Sequence, residues 1–212
     1  MPVDEAALKE AIKKSVELGE KRRFRQRIEM IITLTGLDMK SQEAKLREVL
    51  TLPRGAGKEL KVCVVAEGDT LLEARRLGVE AYGRDELQAM DKKAVKKLAS
   101  RCDWVLVRAD LMGLAGKVLG PALGPRGKAP TPIPPNVNLS TLVERYKRSV
   151  WVRLRNQPQI ASAIGAEGMS VDDLAENAKA VLSLVESKLG AQRIGKVIFK
   201  KTMSPPITVS MK

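Results

Sequence analysis

The chain is 212 residues long, 44% hydrophobic and 3% aromatic, so its core must be aliphatic, and it can form one large domain or two small ones. A formal charge of +13 favours a polyanionic partner, nucleic acid first among them. Histidine is absent, which removes the commonest general base and metal ligand and argues against an enzyme.

The opening Pro2-Val3-Asp4-Glu5 is acidic where a signal peptide needs a basic region, and no apolar run reaches the roughly 18 residues of a membrane span. A cytoplasmic chain is expected. Residues 4–22 read as a helix capped by Asp4, with Leu8, Ile12 and Val16 on one face. Residues 24–34 read as a strand. Phe24, Gln26, Ile28, Met30, Ile32 and Leu34 fall on its apolar face, and Arg25, Arg27, Glu29, Ile31 and Thr33 on the other. A second strand, 48–52, runs into Pro53-Arg-Gly-Ala-Gly-Lys58, which has the composition of a hinge.

The middle of the chain alternates strands and helices. Strands are expected at 62–66, 79–82 and 104–107, and helices at 70–77, 85–100 and 110–119. Cys63 and Cys102 match no metal or redox spacing and read as buried thiols at strand ends. Next comes Lys117-Val-Leu-Gly-Pro-Ala-Leu-Gly-Pro-Arg-Gly-Lys-Ala-Pro-Thr-Pro-Ile-Pro-Pro135. Its prolines rule against a continuing helix or a central strand, so a rigid loop carrying Lys117, Arg126 and Lys128 is expected. A helix at 140–147 follows, then a strand from Val150; the chain passes Pro158 and a Gly165–Gly168 loop to a helix at 171–189 and strands at 196–203 and 207–211. The simplest architecture is an α+β domain made from 1–57 and 149–212, with a Rossmann-like α/β domain, 58–148, inserted.

Neither Gly-Lys pair completes a phosphate loop: Gly57-Lys58 leads to Glu59, and Gly127-Lys128 leads to Ala129 and a run of prolines. No dinucleotide fingerprint follows 62–66, where Glu67-Gly68-Asp69 would repel a pyrophosphate. Asp69 reads as a helix cap. A nucleotide-dependent enzyme using the parallel sheet is therefore the weaker reading.

RNA binding has more support. Parity puts Lys196, Ile198, Lys200 and Thr202 on one side of the strand 196–203, and Val197, Phe199, Lys201 and Met203 on the other. If the first set points outward and this strand joins the sheet of 24–34, the two make one basic face that neutralises phosphates. Thr202 is then placed to bond a phosphate or a ribose 2′-hydroxyl. Phe24, beside Arg22 and Arg23, is either core or a platform for a ribose or base.

Three segments carry a resemblance: Lys117–Pro135, Arg23-Phe24-Arg-Gln-Arg-Ile-Glu29 with Leu52-Pro53-Arg-Gly55, and Lys201-Thr-Met-Ser-Pro205. Across essentially its whole length the chain resembles large-subunit ribosomal protein one, the universal stalk family, in its archaeal form. The resemblance implies two domains, the first built from both termini, and a monomer on the ribosome without catalysis or cofactor. It implies binding to large-subunit rRNA, a role in releasing exit-site tRNA, and repression of translation through the leader of the protein's own mRNA. It also implies an RNA grip at Phe24, at Arg27 where Ser or Thr is usual, and at Thr202, Met203 and Ser204, the last standing for glycine. Lys196 stands for a usual serine. The candidate RNA-binding set is thus Phe24, Arg25, Gln26, Arg27, Glu29, Lys196, Lys200, Thr202, Met203 and Ser204, with Lys117, Arg126 and Lys128 as secondary contacts.

Overall fold

A computed structural model describes residues 4–134 and 137–209. Pro135 and the predicted end of the last strand, at 210–211, lie outside them. In chain order the first elements are α1 (Glu5–Glu17), β1 (Arg27–Leu34), β2 (Arg47–Thr51), β3 (Val62–Val65), α2 (Asp69–Arg76), β4 (Glu80–Tyr82), α3 (Arg84–Gln88) and α4 (Lys92–Arg101). Then come β5 (Trp104–Arg108), α5 (Met112–Leu123), β6 (Thr131–Ile133), α6 (Leu139–Lys147), β7 (Ser149–Arg153), β8 (Gln159–Ala166), α7 (Val171–Leu189), β9 (Ile194–Lys201) and β10 (Ile207–Val209). The chain divides into unit 1, Met1–Lys58 with Arg148–Lys212, and unit 2, Glu59–Lys147.

Unit 1 is an antiparallel sheet of order β10-β9-β1-β8 with a separate two-stranded ribbon, β2-β7. Leu8 and Ile12 of α1 share one aliphatic core with Leu174, Val181, Leu182 and Val185 of α7 and with the inner face of the sheet. Each such side chain, fully buried, stabilises by about 1.5–3 kcal/mol. Ser170 starts α7 by accepting a hydrogen bond from the Asp173 N–H at 3.1 Å, beside Asp172 and Asp173 in the first turn. α1 stops at Glu17, five residues short of the expected end, and Asp4 stands at its N-cap without a side-chain capping bond. β8 occupies a stretch where no element was expected, and it takes in Gly165 and Ala166 of the expected Gly165–Gly168 loop.

The Pro53–Lys58 segment, hinge-like in composition, is pinned within unit 1. The buried Asn177 donates to the carbonyls of Gly55 and Ile164, both at 2.8 Å, and accepts from the Arg54 N–H at 2.9 Å. Both amide N–H groups and the carbonyl oxygen thus have partners, as a buried amide requires. Gly57, at φ +68°, also admits no side chain, since a Cβ there would lie 2.8 Å from the Ala166 nitrogen.

Unit 2 is a parallel sheet of order β4-β3-β5-β6. β3 is buried along its whole length and β5 along all but its last residue, as in strands covered on both faces. The helix expected over 85–100 is two helices. Asp91 interrupts it, accepting from the Ala94 N–H at 2.6 Å to start α4 afresh. The N-cap of α2 is Gly68, so Asp69 is its first helical residue and makes no capping bond.

Two expectations for this unit are overturned. The proline-rich run is not one loop: α5 continues through Lys117 to Leu123 with Pro121 inside it. Pro121 lies exposed in the last turn, so only the bond to the Lys117 carbonyl is lost. Further on, Thr131–Ile133 pairs with β5 as an edge strand, where Pro132 is tolerated. Cys63 and Cys102 are not free thiols; they form a disulfide across a sequence separation of 39, tying β3 to the end of α4. A spacing rule for short motifs carries no information about two cysteines that the parallel sheet brings together.

Candidate nucleic-acid interface

The outer face of the unit 1 sheet follows from alternation. β1 buries Ile28, Met30, Ile32 and Leu34, leaving Arg27 exposed and Glu29, Ile31 and Thr33 half-buried. β9 buries Val197 and Phe199, leaving Lys196 exposed and Ile198 and Lys200 half-buried. The antiparallel register sets Glu29 opposite Lys200, Ile31 opposite Ile198 and Thr33 opposite Lys196. The two faces read separately from sequence are therefore one surface. Thr33 joins its halves, accepting from the Lys196 N–H at 2.8 Å.

Where β1 begins and β9 ends, two remote segments are locked together. Thr202 donates its N–H to the Arg27 carbonyl at 3.1 Å, and its hydroxyl accepts from the Arg27 N–H at 3.2 Å. The Met203 N–H donates to the Gln26 side-chain oxygen at 3.0 Å. The outcome is a rigid end of the sheet from which Phe24 and Met203 project, 52% and 56% exposed, the most solvent-accessible large apolar side chains of unit 1 among the described residues. Arg25 and Arg27 are exposed beside them in sequence.

Several expectations are corrected at this end. Phe24 lies before β1 and is exposed, so it is not core, and Met203 lies past β9 and escapes the strand's inward parity. Gln26 is 1% exposed and Ser204 8% exposed, so neither offers its side chain outward. Gln26 is the clamp for Met203, and Ser204 accepts from the Lys201 N–H at 2.9 Å to close the turn. A Cβ on Gly19 would lie 2.9 Å from the Ser204 Cβ, which shows how closely the chain packs there.

The residue that sequence reasoning missed is Glu167. Its carboxylate accepts from the Gln26 N–H at 2.9 Å and the Gln26 side-chain amide at 3.2 Å, and it pairs with the buried Lys201 ammonium at 3.5 Å. Its carbonyl accepts from the Arg25 guanidinium at 2.7 Å. One side chain thus fixes the start of β1, the turn after β8 and the end of β9. The signal was faint: Ile160, Ser162 and Ile164 alternate ahead of Gly165, but Ala161 and Ala163 between them contrast too little to mark β8 and the turn holding Glu167.

Unit 2 treats the three secondary candidates differently. The Lys128 ammonium donates to the Ala99 and Cys102 carbonyls at 3.1 and 2.7 Å, capping the C-terminus of α4. Arg126 donates to the Ala122 carbonyl at 3.0 Å, and Lys117 is exposed on α5. The carboxyl ends of β3 and β5, where an open α/β sheet takes its nucleotide, carry ion pairs. Glu67 accepts from Arg84 at 2.9 Å and pairs with Arg108 at 3.5 Å, and Arg108 also holds Asp110 at 2.6 Å. Among the described residues one group of metal-type donors converges, Cys63, Glu80 and Cys102, within 4.8 Å of one another. Its sulfurs are bonded to each other and Glu80 is held by Arg101 and Tyr82, so it is a structural cluster. Burial and the Glu80 carboxylate together push the Tyr82 phenol up to about 12.

The model of the ribosomal protein L1p/L10e family matches residues 8–205. The chain belongs to that family. It is 56% identical over 206 residues to a protein of Aeropyrum pernix, covering 96% of this chain and 95% of that one. It is 48% identical to one of Staphylothermus marinus over 95% of both chains. A protein of Saccharolobus solfataricus is 42% identical, over 98% of this chain and 96% of its own. All three are named large ribosomal subunit protein uL1. Family membership makes this a structural ribosomal protein and not an enzyme. The early and late segments that carried the resemblance, around Phe24 and Thr202, are the ones that the sheet brings into contact.

Proposed function

We propose that this chain is an RNA-binding structural protein of the large ribosomal subunit, gripping structured rRNA with the rigid end of the unit 1 sheet. The observation that carries the reading is the meeting of 24–27 with 202–204. Exposed Phe24 and Met203 offer apolar contact to riboses and bases, and Arg25, Arg27, Lys196 and Lys200 offer charge to phosphates. Deacylated tRNA at the exit site and the leader of the protein's own mRNA are structured polyanions that the same surface fits, so tRNA release and repression of its own translation belong to this reading. In this role Arg27 and Lys196, in place of small hydroxyl residues, add phosphate contacts. Gln26, Glu167 and Ser204 position the surface without touching RNA.

The test is affinity for a stalk-type rRNA fragment as a function of salt. The logarithm of the association constant should fall linearly with the logarithm of salt concentration, with a slope near −0.7 to −0.9 per phosphate contacted. A flat salt dependence, or equal affinity for random RNA, contradicts the proposal. Thr202→Ala removes the hydroxyl that accepts from Arg27 and should weaken binding by about 1–3 kcal/mol, the range of a directed contact. Unaltered affinity in that variant takes Thr202 out of the site.

A further inference from the structure

Unit 2 carries a second surface, chemically unlike the first. Between α4 and α5 lies an open groove of about 750 Å³. Its floor is apolar, including Met90, Val95, Leu114, Val118 and Pro121. Its rim is cationic: Lys92 and Lys96 from α4, Lys117 from α5 and Arg126 from the turn that follows. No carboxylate lines it.

The rim cations differ from five others in the unit, though not from Lys61, Arg76, Lys93 and Lys97. Arg75, Arg84, Arg101, Arg108 and Lys147 are each paired with a carboxylate. Among the described residues the four rim cations have no such partner, and Arg126 is held in place by the Ala122 carbonyl and the Ser100 hydroxyl. Unpaired cations flanking an apolar trough are complementary to a ligand that is apolar along its centre and acidic along its sides. RNA has the charge but would leave the floor unfilled, because the groove holds no aromatic ring for a base to stack on. An amphipathic helix has both properties.

We propose that the α4–α5 groove docks a short amphipathic helix of a protein partner, apolar on one face and bordered by Asp or Glu. The ten residues of α4 span about 15 Å, so the docked helix is two to three turns long and places anchors at i, i+3 or i+4, and i+7. The apolar anchors supply the affinity, and the rim sets orientation and excludes basic helices.

The experiment uses the full chain and two synthetic helical peptides of three to four turns. Both carry Leu at the anchor positions; one is flanked by Glu and the other by Lys. Peptide anisotropy measures binding, and amide NMR shifts locate it. Saturable binding of the Glu peptide, with shifts confined to α4, α5 and the following turn, is expected. The double variant Lys96→Glu with Lys117→Glu, both exposed positions, should bind the Glu peptide at least roughly tenfold more weakly and prefer the Lys peptide. A melting curve matching the parent's excludes unfolding as the cause. No binding of the Glu peptide, or binding that ignores the charge reversal, overturns the proposal. So does an RNA oligonucleotide that displaces the peptide and shifts the same amides, which would assign the groove to RNA.

Discussion

Loss of the Cys63–Cys102 bridge is expected to destabilise unit 2 by about 4 kcal/mol, from the chain entropy released when a loop of 39 residues is opened in the unfolded state. Both cysteines are buried, at 1% and 0% exposure, so reductant should act on the native protein slowly and on the unfolded protein at once. Denaturant titrations of the oxidised chain and of the Cys63→Ala, Cys102→Ala variant measure the effect. The transition of unit 2 should move to lower denaturant, and the RNA affinity carried by unit 1 should stay as it was. Equal midpoints with and without the bridge would show that the disulfide contributes nothing. A parallel fall in RNA affinity would show that the binding surface extends beyond unit 1.

The second large effect is expected at Glu167. Replacing it with Ala leaves the Lys201 ammonium buried without a counter-charge and takes the acceptor from two Gln26 donors. Lys201 is buried and Glu167 partly exposed, so leaving the ammonium unpaired costs about 1–3 kcal/mol, or roughly 4–12 °C in melting temperature for a unit of this size. RNA affinity should fall as well, because Gln26 is no longer held where it clamps Met203. The companion Lys201→Met removes the stranded charge, so the double variant should recover part of the stability lost in the single one. That recovery separates an electrostatic cause from general disruption. If Glu167→Ala melts and binds like the parent, Glu167 has no organising role.

What could be read from the sequence depended on how local its cause was. α7 was legible to the residue because its cap, its inward leucines and valines and its closing glycine all lie within one segment. The outward parity of Lys196 and Lys200 was legible because Val197 and Phe199 alternate with them. β8 was not: Ala161 and Ala163 give its outer positions little contrast with Ser162 and Gly165 on the inner ones. Glu167 stayed hidden with it, being 141 residues from the Gln26 it holds. Met203 and Phe24 were misplaced because strand parity was carried past the strand ends. The Pro121 expectation applied an interior rule to a last turn, where the penalty is a single bond.

The pairing of β1 with both β8 and β9 has a consequence in time. Its partners lie 126 or more residues downstream, counting from Thr33 to Gln159, whereas the disulfide and the whole of unit 2 are contiguous in the chain. Contacts of such separation form late, and during synthesis they wait for the C-terminal strands to emerge. Unit 2 can therefore fold while Phe24 still has no Thr202 to meet. On the function proposed here, a polypeptide interrupted before β9 presents no assembled RNA grip. Only finished molecules then compete for rRNA or for their own message, and synthesis proofreads its product by topology alone.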